Sequence, residues 1–135
     1  MAMRNAVLFL AAITLAACID ITNANQVKDM PNEQLCEAYY FGMHPSNGTN
    51  TNWPSKQADI KKELENRQAV TSGNWAAIDQ GRIEVGMSEC ALQAAWGHPL
   101  RITHAVTPAG NSSHYIYTLT RTADVLNGKI SGFHY

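Results

Sequence analysis

The five histidines of the chain are the residues that first suggest chemistry, because imidazole binds metals and transfers protons near neutral pH. His104 and His114 stand on either side of a turn signal at 108–111 and could face each other across it. Two imidazoles without a third ligand or a carboxylate make a weak metal site, so we expect no bound metal. The five are His44, His98, His104, His114 and His134.

Nucleophilic catalysis has little support in the sequence. Ser88 stands in the segment GMSEC at 86–90, which lacks the closing glycine of a nucleophile elbow. A cysteine–histidine pair would need a free, activated thiol. The sequence contains neither a phosphate-binding loop nor a dinucleotide fingerprint, so we expect no cofactor. We therefore expect a protein that is not an enzyme and has no catalytic residues.

The N-terminal residues have the pattern of a secretory signal. Arg4 precedes an apolar run from Ala6 to Ala17, in which Thr14 is the one polar residue. Twelve helical residues reach about 18 Å, which is short of the ~30 Å hydrocarbon core of a bilayer. The pattern predicts a signal peptide over residues 1–17 rather than a transmembrane helix.

The apolar run ends in Leu15-Ala16-Ala17-Cys18, which resembles the bacterial lipobox. That resemblance implies cleavage before Cys18, acylation of its thiol and amino group, and stable membrane anchoring. Ile19, where the sorting pattern for the inner membrane has Asp, favours the outer membrane with the domain facing the periplasm. The alternative is an ordinary signal cleaved after Ala24, which would release a soluble protein.

The two cysteines that remain, Cys36 and Cys90, form an even pair in an oxidising compartment. Without a C-x-x-C motif or a histidine at ligand spacing, they make a poor metal site. We expect a disulfide between Cys36 and Cys90. Two buried free thiols are the alternative.

Composition describes one small neutral domain. The chain has 135 residues, of which 45% are hydrophobic and 16% charged, and its net charge is -1. A nucleic-acid binder of this size needs a basic excess to neutralise phosphates, so nucleic acid is not an expected partner. Polybasic membrane attachment is equally unsupported.

The first half of the mature chain has helical patterns. After a polar tether at residues 18–29, Pro31 begins a helix that Gly42 ends. A second helix, 55–67, places its charged residues, Arg67 among them, on a solvated face. A short turn follows at 71–81, and Ser88 caps a helix over 89–96.

Beyond Pro99 the hydrophobic period changes to two, which predicts strands. These strands cover 100–107, 114–120, a segment ending at 125–126, and 129–135, with Asn127-Gly128 as a hairpin turn. Helices followed by an antiparallel meander predict an α+β fold. In this fold, short N-terminal helices pack on one face of a three- or four-stranded sheet within a single domain over residues 30–135.

Part of the sequence resembles a known family. The segment GRIEVGMS at 81–88, then Leu92 and Trp96-Gly97-His98-Pro99, is similar to SmpA/OmlA, the small lipoprotein subunit of the barrel-assembly machinery. Tyr115 and the hairpin at 125–130 extend the likeness, which covers roughly residues 81–135. The resemblance implies the same α+β fold, which is also found in secreted β-lactamase-inhibitor-like proteins.

Two functions follow from these patterns. The first is an envelope lipoprotein that acts as a non-enzymatic binding or scaffold module for other envelope proteins, with outer-membrane assembly or maintenance as its expected context. The second is a secreted or periplasmic inhibitor of another enzyme. Aromatic residues on the last strands, namely Tyr115, Tyr117, Phe133 and Tyr135, are our candidates for partner contact. Because strands alternate, at least one of the two pairs could instead belong to the core.

Overall fold

The computed structural model describes residues 24–44 and 53–135. The predicted signal peptide and the lipidation site, Cys18, lie outside the described residues. Within those ranges helices precede strands, as predicted. The helices are α1 (Ala24–Asp29), α2 (Asn32–Met43), α3 (Trp53–Asn66), α4 (Trp75–Ile78) and α5 (Glu89–Trp96), with a 3₁₀ turn at Ser72–Asn74.

Four antiparallel strands form one sheet in sequence order, and the predicted α+β fold is confirmed. They are β1 (Arg101–Thr107), β2 (Gly110–Ile116), β3 (Thr122–Leu126) and β4 (Lys129–His134). Asn127 and Gly128, with φ of 51° and 77°, form the turn between β3 and β4. Positive φ at both central residues gives a turn whose twist matches that of the strands, which explains this Asn-Gly pair.

Helix α5 has the ends that its sequence predicts. The hydroxyl of Ser88 accepts a hydrogen bond from the amide of Ala91 at 3.1 Å, so it caps the helix. Gly97, with φ of 78°, ends it, and the Tyr40 ring lies 2.5 Å from where a Cβ would stand. Both the backbone conformation and this close contact therefore require glycine at position 97.

The core lies between the helices and one face of the sheet. Leu35, Cys36 and Tyr39 of α2 are buried in it, and the Tyr39 hydroxyl donates to Asp79 at 2.6 Å. The predicted disulfide is present: Cys36 is bonded to Cys90 in the first turn of α5, with a Cα–Cα distance of 5.4 Å. This bond joins α2 to α5, the helix that lies on the sheet.

The predicted tether at 18–29 is too long, because α1 belongs to the folded domain. Val27 and Met30 are buried, and the side chain of Arg67 donates to three main-chain carbonyls at this end of α1. The interpretation of Arg67 as part of a solvated face is therefore wrong. The sequence did not predict α1, because this polar segment has only two apolar side chains. The side chain that holds α1, Arg67, lies 37 residues or more further along the chain.

Candidate partner-binding surface

Both aromatic pairs of the predicted site point to the same face of the sheet. Tyr115 lies opposite Ala123, which in turn lies opposite Phe133. Residues directly opposite one another point to one face, and here the helices cover it. Tyr115 is fully buried and Tyr117 is only 8% exposed. The hypothesis that Tyr115 and Tyr117 contact a partner is therefore wrong, since both are core residues.

Phe133 and Tyr135, at the end of β4, remain as candidates. Phe133 is half-buried against the core, whereas Tyr135 is 54% exposed. The Trp96 ring lies beside both, with centroid distances of 6.5 Å to Phe133 and 5.4 Å to Tyr135 in edge-to-face arrangements. Trp96 is itself buried, and its indole N–H donates to the Gly81 carbonyl at 3.0 Å. The exposed ring of Tyr135 therefore rests on a fixed support.

Arg121 completes this cluster. Its guanidinium carbon is 5.1 Å from the centre of the Trp96 ring and 5.9 Å from that of Tyr135. Each such cation–π contact at an exposed position contributes about 0.5–1 kcal/mol. The turn before β3 is also held by hydrogen bonds, because the Arg121 carbonyl accepts from Tyr117 and its amide donates to the Thr118 hydroxyl at 2.9 Å. A positive charge is thus fixed beside an exposed tyrosine.

Large apolar side chains are exposed around this cluster. Leu119 at the β2–β3 turn is fully exposed, and Leu100 before β1 is 78% exposed. The last turn of α2 belongs to the same end of the molecule, because the Tyr40 ring packs on Gly97. We call this surface the apolar end, and it comprises Leu100, Leu119 and Tyr135, which lie where β1 begins, where β2 and β3 are joined, and where β4 ends.

Three of the seven large hydrophobic side chains exposed in the described part of the chain belong to the apolar end. The others are Phe41, Met43, Val85 and Val106. At the rim of the apolar end, the His98 imidazole is 2.6 Å from the Glu37 carboxylate. Grouped apolar side chains with a polar rim are typical of protein contact surfaces.

A tyrosine hydroxyl below this surface has no hydrogen-bond partner among the described residues. It belongs to Tyr117, whose ring is 5.2 Å from Trp96. Burial, with smaller contributions from the carboxylates of Glu37 and Glu89, raises the pKa of Tyr117 well above its usual value. The hydroxyl therefore stays protonated, and it offers no base for catalysis.

A groove of about 290 Å³ lies beside the disulfide, between the first turns of α2 and α5. Burial, followed by the nearby carboxylate of Glu33, raises the pKa of Glu89, while His104 opposes the shift. Gln93 lines the same groove and is the one buried polar residue in the described part of the chain. The carboxyl of Glu89 is therefore easier to protonate than that of an ordinary glutamate. Two carboxylates at the entrance to two helices have a structural explanation as well, since acidic groups stabilise helix N-termini.

The two histidines considered for a metal do not face each other. His104 lies opposite Ser113, and His114 lies opposite Thr103. These are consecutive residue pairs of the two strands, so the two histidine side chains point to opposite faces of the sheet. The His114 ring is instead 2.6 Å from Asp124. Within residues 24–44 and 53–135, no three histidine, cysteine or acidic side chains are grouped as a metal ion would require.

No family model, curated protein or solved structure matches this chain. The resemblance to SmpA/OmlA over residues 81–135 therefore stays an expectation. Among the described residues, no helix has both the length and the apolar character that crossing a membrane requires.

Sequence reasoning identified Tyr135 and missed Leu100 and Leu119. Leu119 stands between two threonines in a segment that resembles the end of a strand, and the β2–β3 turn that exposes it carries no glycine or proline.

Proposed function

We propose that this chain is an envelope lipoprotein whose α+β domain binds another envelope protein through the apolar end, without catalysing a reaction. The observation that carries the proposal is the group of exposed apolar side chains around the stack of Arg121, Trp96 and Tyr135. A context in outer-membrane assembly or maintenance is the narrower proposal, and it rests on the resemblance of residues 81–135 to SmpA/OmlA.

The composition of the surface supports binding. Tryptophan, tyrosine and arginine are the residue types that contribute most to protein–protein binding energy. Here the exposed ring and the guanidinium are held in place before a partner arrives, by Trp96 and by the β2–β3 turn. Preorganised side chains lose little conformational entropy on binding, which favours affinity.

The predicted anchor restricts where a partner could be met. Five residues lie between Cys18 and Ala24, where α1 begins. Even fully extended, the six steps from Cys18 to Ala24 span only about 20 Å. An acylated Cys18 would thus hold the domain next to the lipid headgroups, within reach of proteins at the same membrane surface.

A pair of photo-cross-linking variants tests the proposal in cells. A photoreactive amino acid at Leu119 should give a discrete adduct with one envelope protein, and Leu119→Glu should reduce co-purification of that protein at least tenfold. Val85 is the matched control, because it is 65% exposed and lies in the segment that pairs with the opposite end of β4. The same adducts at both positions would contradict a specific surface.

One feature favours the inhibitor as a second candidate. Leu119 protrudes from a turn that is fixed by hydrogen bonds from the Thr120 and Arg121 amides to the Thr118 hydroxyl. A rigid turn with an exposed apolar side chain is suited to enter an active-site cleft. Metabolic labelling with a clickable fatty acid separates the two functions. Label on the wild type and none on Cys18→Ser supports the lipoprotein, whereas an unlabelled mature protein that begins after Ala24 supports the inhibitor.

A further inference from the structure

The outer edge of β1 has no partner strand within the described residues. Its seven residues pair with β2 alone, in a register without interruption from Arg101 to Thr107. Five of the seven are exposed, and a strand of this length extends about 24 Å. The opposite edge of the sheet is different. The main chain at 86–89 bonds to the start of β4 there, through Gly86 to Ile130 and Glu89 to Gly128.

Edge strands usually carry features that prevent pairing with another chain, such as proline, lysine or a bulge. The sequence of β1, RITHAVT, contains none of these between its ends. Its one formal charge, Arg101, stands at the first position. Val106, near the other end, is 87% exposed on the side of the sheet where Tyr115 lies. As far as residues 24–44 and 53–135 are concerned, the edge is therefore open to another strand.

We propose that two copies of this chain associate through β1, antiparallel, about a two-fold axis at His104. This register pairs all seven residues and joins two four-stranded sheets into one. Ile102 of each copy then lies opposite Val106 of the other, so the exposed valine gains an apolar neighbour. Arg101 then faces Thr107, and no like formal charges stand opposite each other.

Neighbouring registers are less complementary. An axis at Thr103 pairs only five of the seven residues of β1, since it sets Ile102 opposite His104 and Val106 opposite Leu100, which lies outside the strand. An axis at Ala105 sets His104 opposite Val106 and leaves Ile102 unpaired. Self-complementarity in a single register favours a second copy over an unrelated strand as the occupant. An edge of this length contributes less surface than a standard interface, so we expect reversible association. The proposal is independent of the apolar end.

Cysteine substitutions in the full chain test the register directly. Opposed residues of antiparallel strands have Cα atoms 4.5–5.5 Å apart, which a disulfide can bridge. His104→Cys should therefore give a covalent dimer on non-reducing gels that reduction dissolves. Arg101→Cys and Thr107→Cys should each stay monomeric, because identical residues are about 20 Å apart. Mixed together, these two should form a heterodimer.

Two controls separate pairing from chance collision. Wild type contains Cys18, Cys36 and Cys90, so its lane reports any dimer that does not depend on β1. Val106→Lys in the His104→Cys background should reduce cross-linking at least tenfold, with an unchanged circular dichroism spectrum because Val106 is exposed.

Three results would overturn the proposal. The first is no dimer from His104→Cys, together with wild type that sediments as a monomer from micromolar to millimolar concentration. The second is equal cross-linking of Arg101→Cys and His104→Cys, which would indicate random encounters. The third is an adduct of His104→Cys with a different envelope protein in place of a second copy, which would assign the edge to another partner.

Discussion

Arg67→Ala should release α1 from the domain while leaving the rest of the fold in place. The guanidinium donates to the carbonyls of Met30 at 2.6 Å, Lys28 at 2.7 Å and Val27 at 3.2 Å, and it also contacts Glu63 at 2.7 Å. The last carbonyls of a helix have no partner within the helix, so this side chain acts as the C-terminal cap of α1.

The size of the effect follows from these contacts. A hydrogen bond to a charged group contributes about 1.5–3 kcal/mol to stability. The three carbonyl bonds share one guanidinium that is 23% exposed, so we take their joint contribution as about 2–4 kcal/mol rather than the sum. Since 1.4 kcal/mol is a factor of ten, the opening of α1 should become roughly 30-fold to 1,000-fold more frequent.

Amide hydrogen exchange measures this opening segment by segment. The amides of α1 should exchange faster in Arg67→Ala by that factor, while the amides of β2 and β3 keep their wild-type rates. Arg82→Ala is the matched control, because it removes an exposed guanidinium from the loop before α5. Unchanged exchange in α1 would refute the reasoning, and it would mean that Val27 and Met30 alone hold the helix.

Three further outcomes are expected. Replacing Cys36 and Cys90 together by alanine should lower the free energy of unfolding by about 4 kcal/mol, because the bond closes a loop with a sequence separation of 54; a loss below about 1 kcal/mol in denaturant titrations would contradict this. Tyr115→Ala should lower the free energy of unfolding by about 3–5 kcal/mol and Tyr135→Ala by under about 1 kcal/mol. Equal losses would contradict the assignment of Tyr115 to the core and Tyr135 to the surface. Glu89→Gln should stabilise the protein at neutral pH relative to wild type. The raised pKa of Glu89 means that the folded state holds its proton longer than the unfolded state does, so wild-type stability falls as pH rises through the folded pKa. The difference in stability between Glu89→Gln and wild type should vanish below the ordinary glutamate pKa, and a difference that stays constant across pH would contradict this prediction.

Local signals predicted local structure well. Ser88 and Gly97 bound α5 because each acts on backbone groups within a few residues of itself. Asn127-Gly128 predicted its hairpin for the same reason, since the positive φ values are a property of those two residues. The two cysteines predicted their bond by count alone, without any knowledge of the helices that carry them.

Features that depend on distant partners were not accessible in the same way. The α1 helix needs Arg67, which no helical periodicity near residue 27 reveals. The burial of Tyr115 depends on which face of the sheet the helices cover, and strand alternation leaves that choice open. Strand alternation correctly predicted that Tyr115 and Tyr117 share one face of the sheet. It could not determine whether Phe133 and Tyr135 lie on that same face.

A β-bulge in β4 places Phe133 and Tyr135 on the same face of the sheet as Tyr115, and it thereby forms the candidate surface. Ile130 pairs with Val125 and Gly132 with Asp124, so Ser131 is the extra residue, and its hydroxyl donates to the Asp124 carbonyl at 3.2 Å. Strict alternation from the buried Ile130 would turn Phe133 to the outer face, because their positions differ by three, an odd number. The bulge reverses the phase, and Phe133 and its neighbour Tyr135 come to lie against Trp96. A glycine inside a strand often marks a bulge, so Gly132 was the sequence signal for this rearrangement. The exposed tyrosine of the apolar end therefore owes its position to one inserted residue in β4, and not to the hydrophobic pattern of the strand.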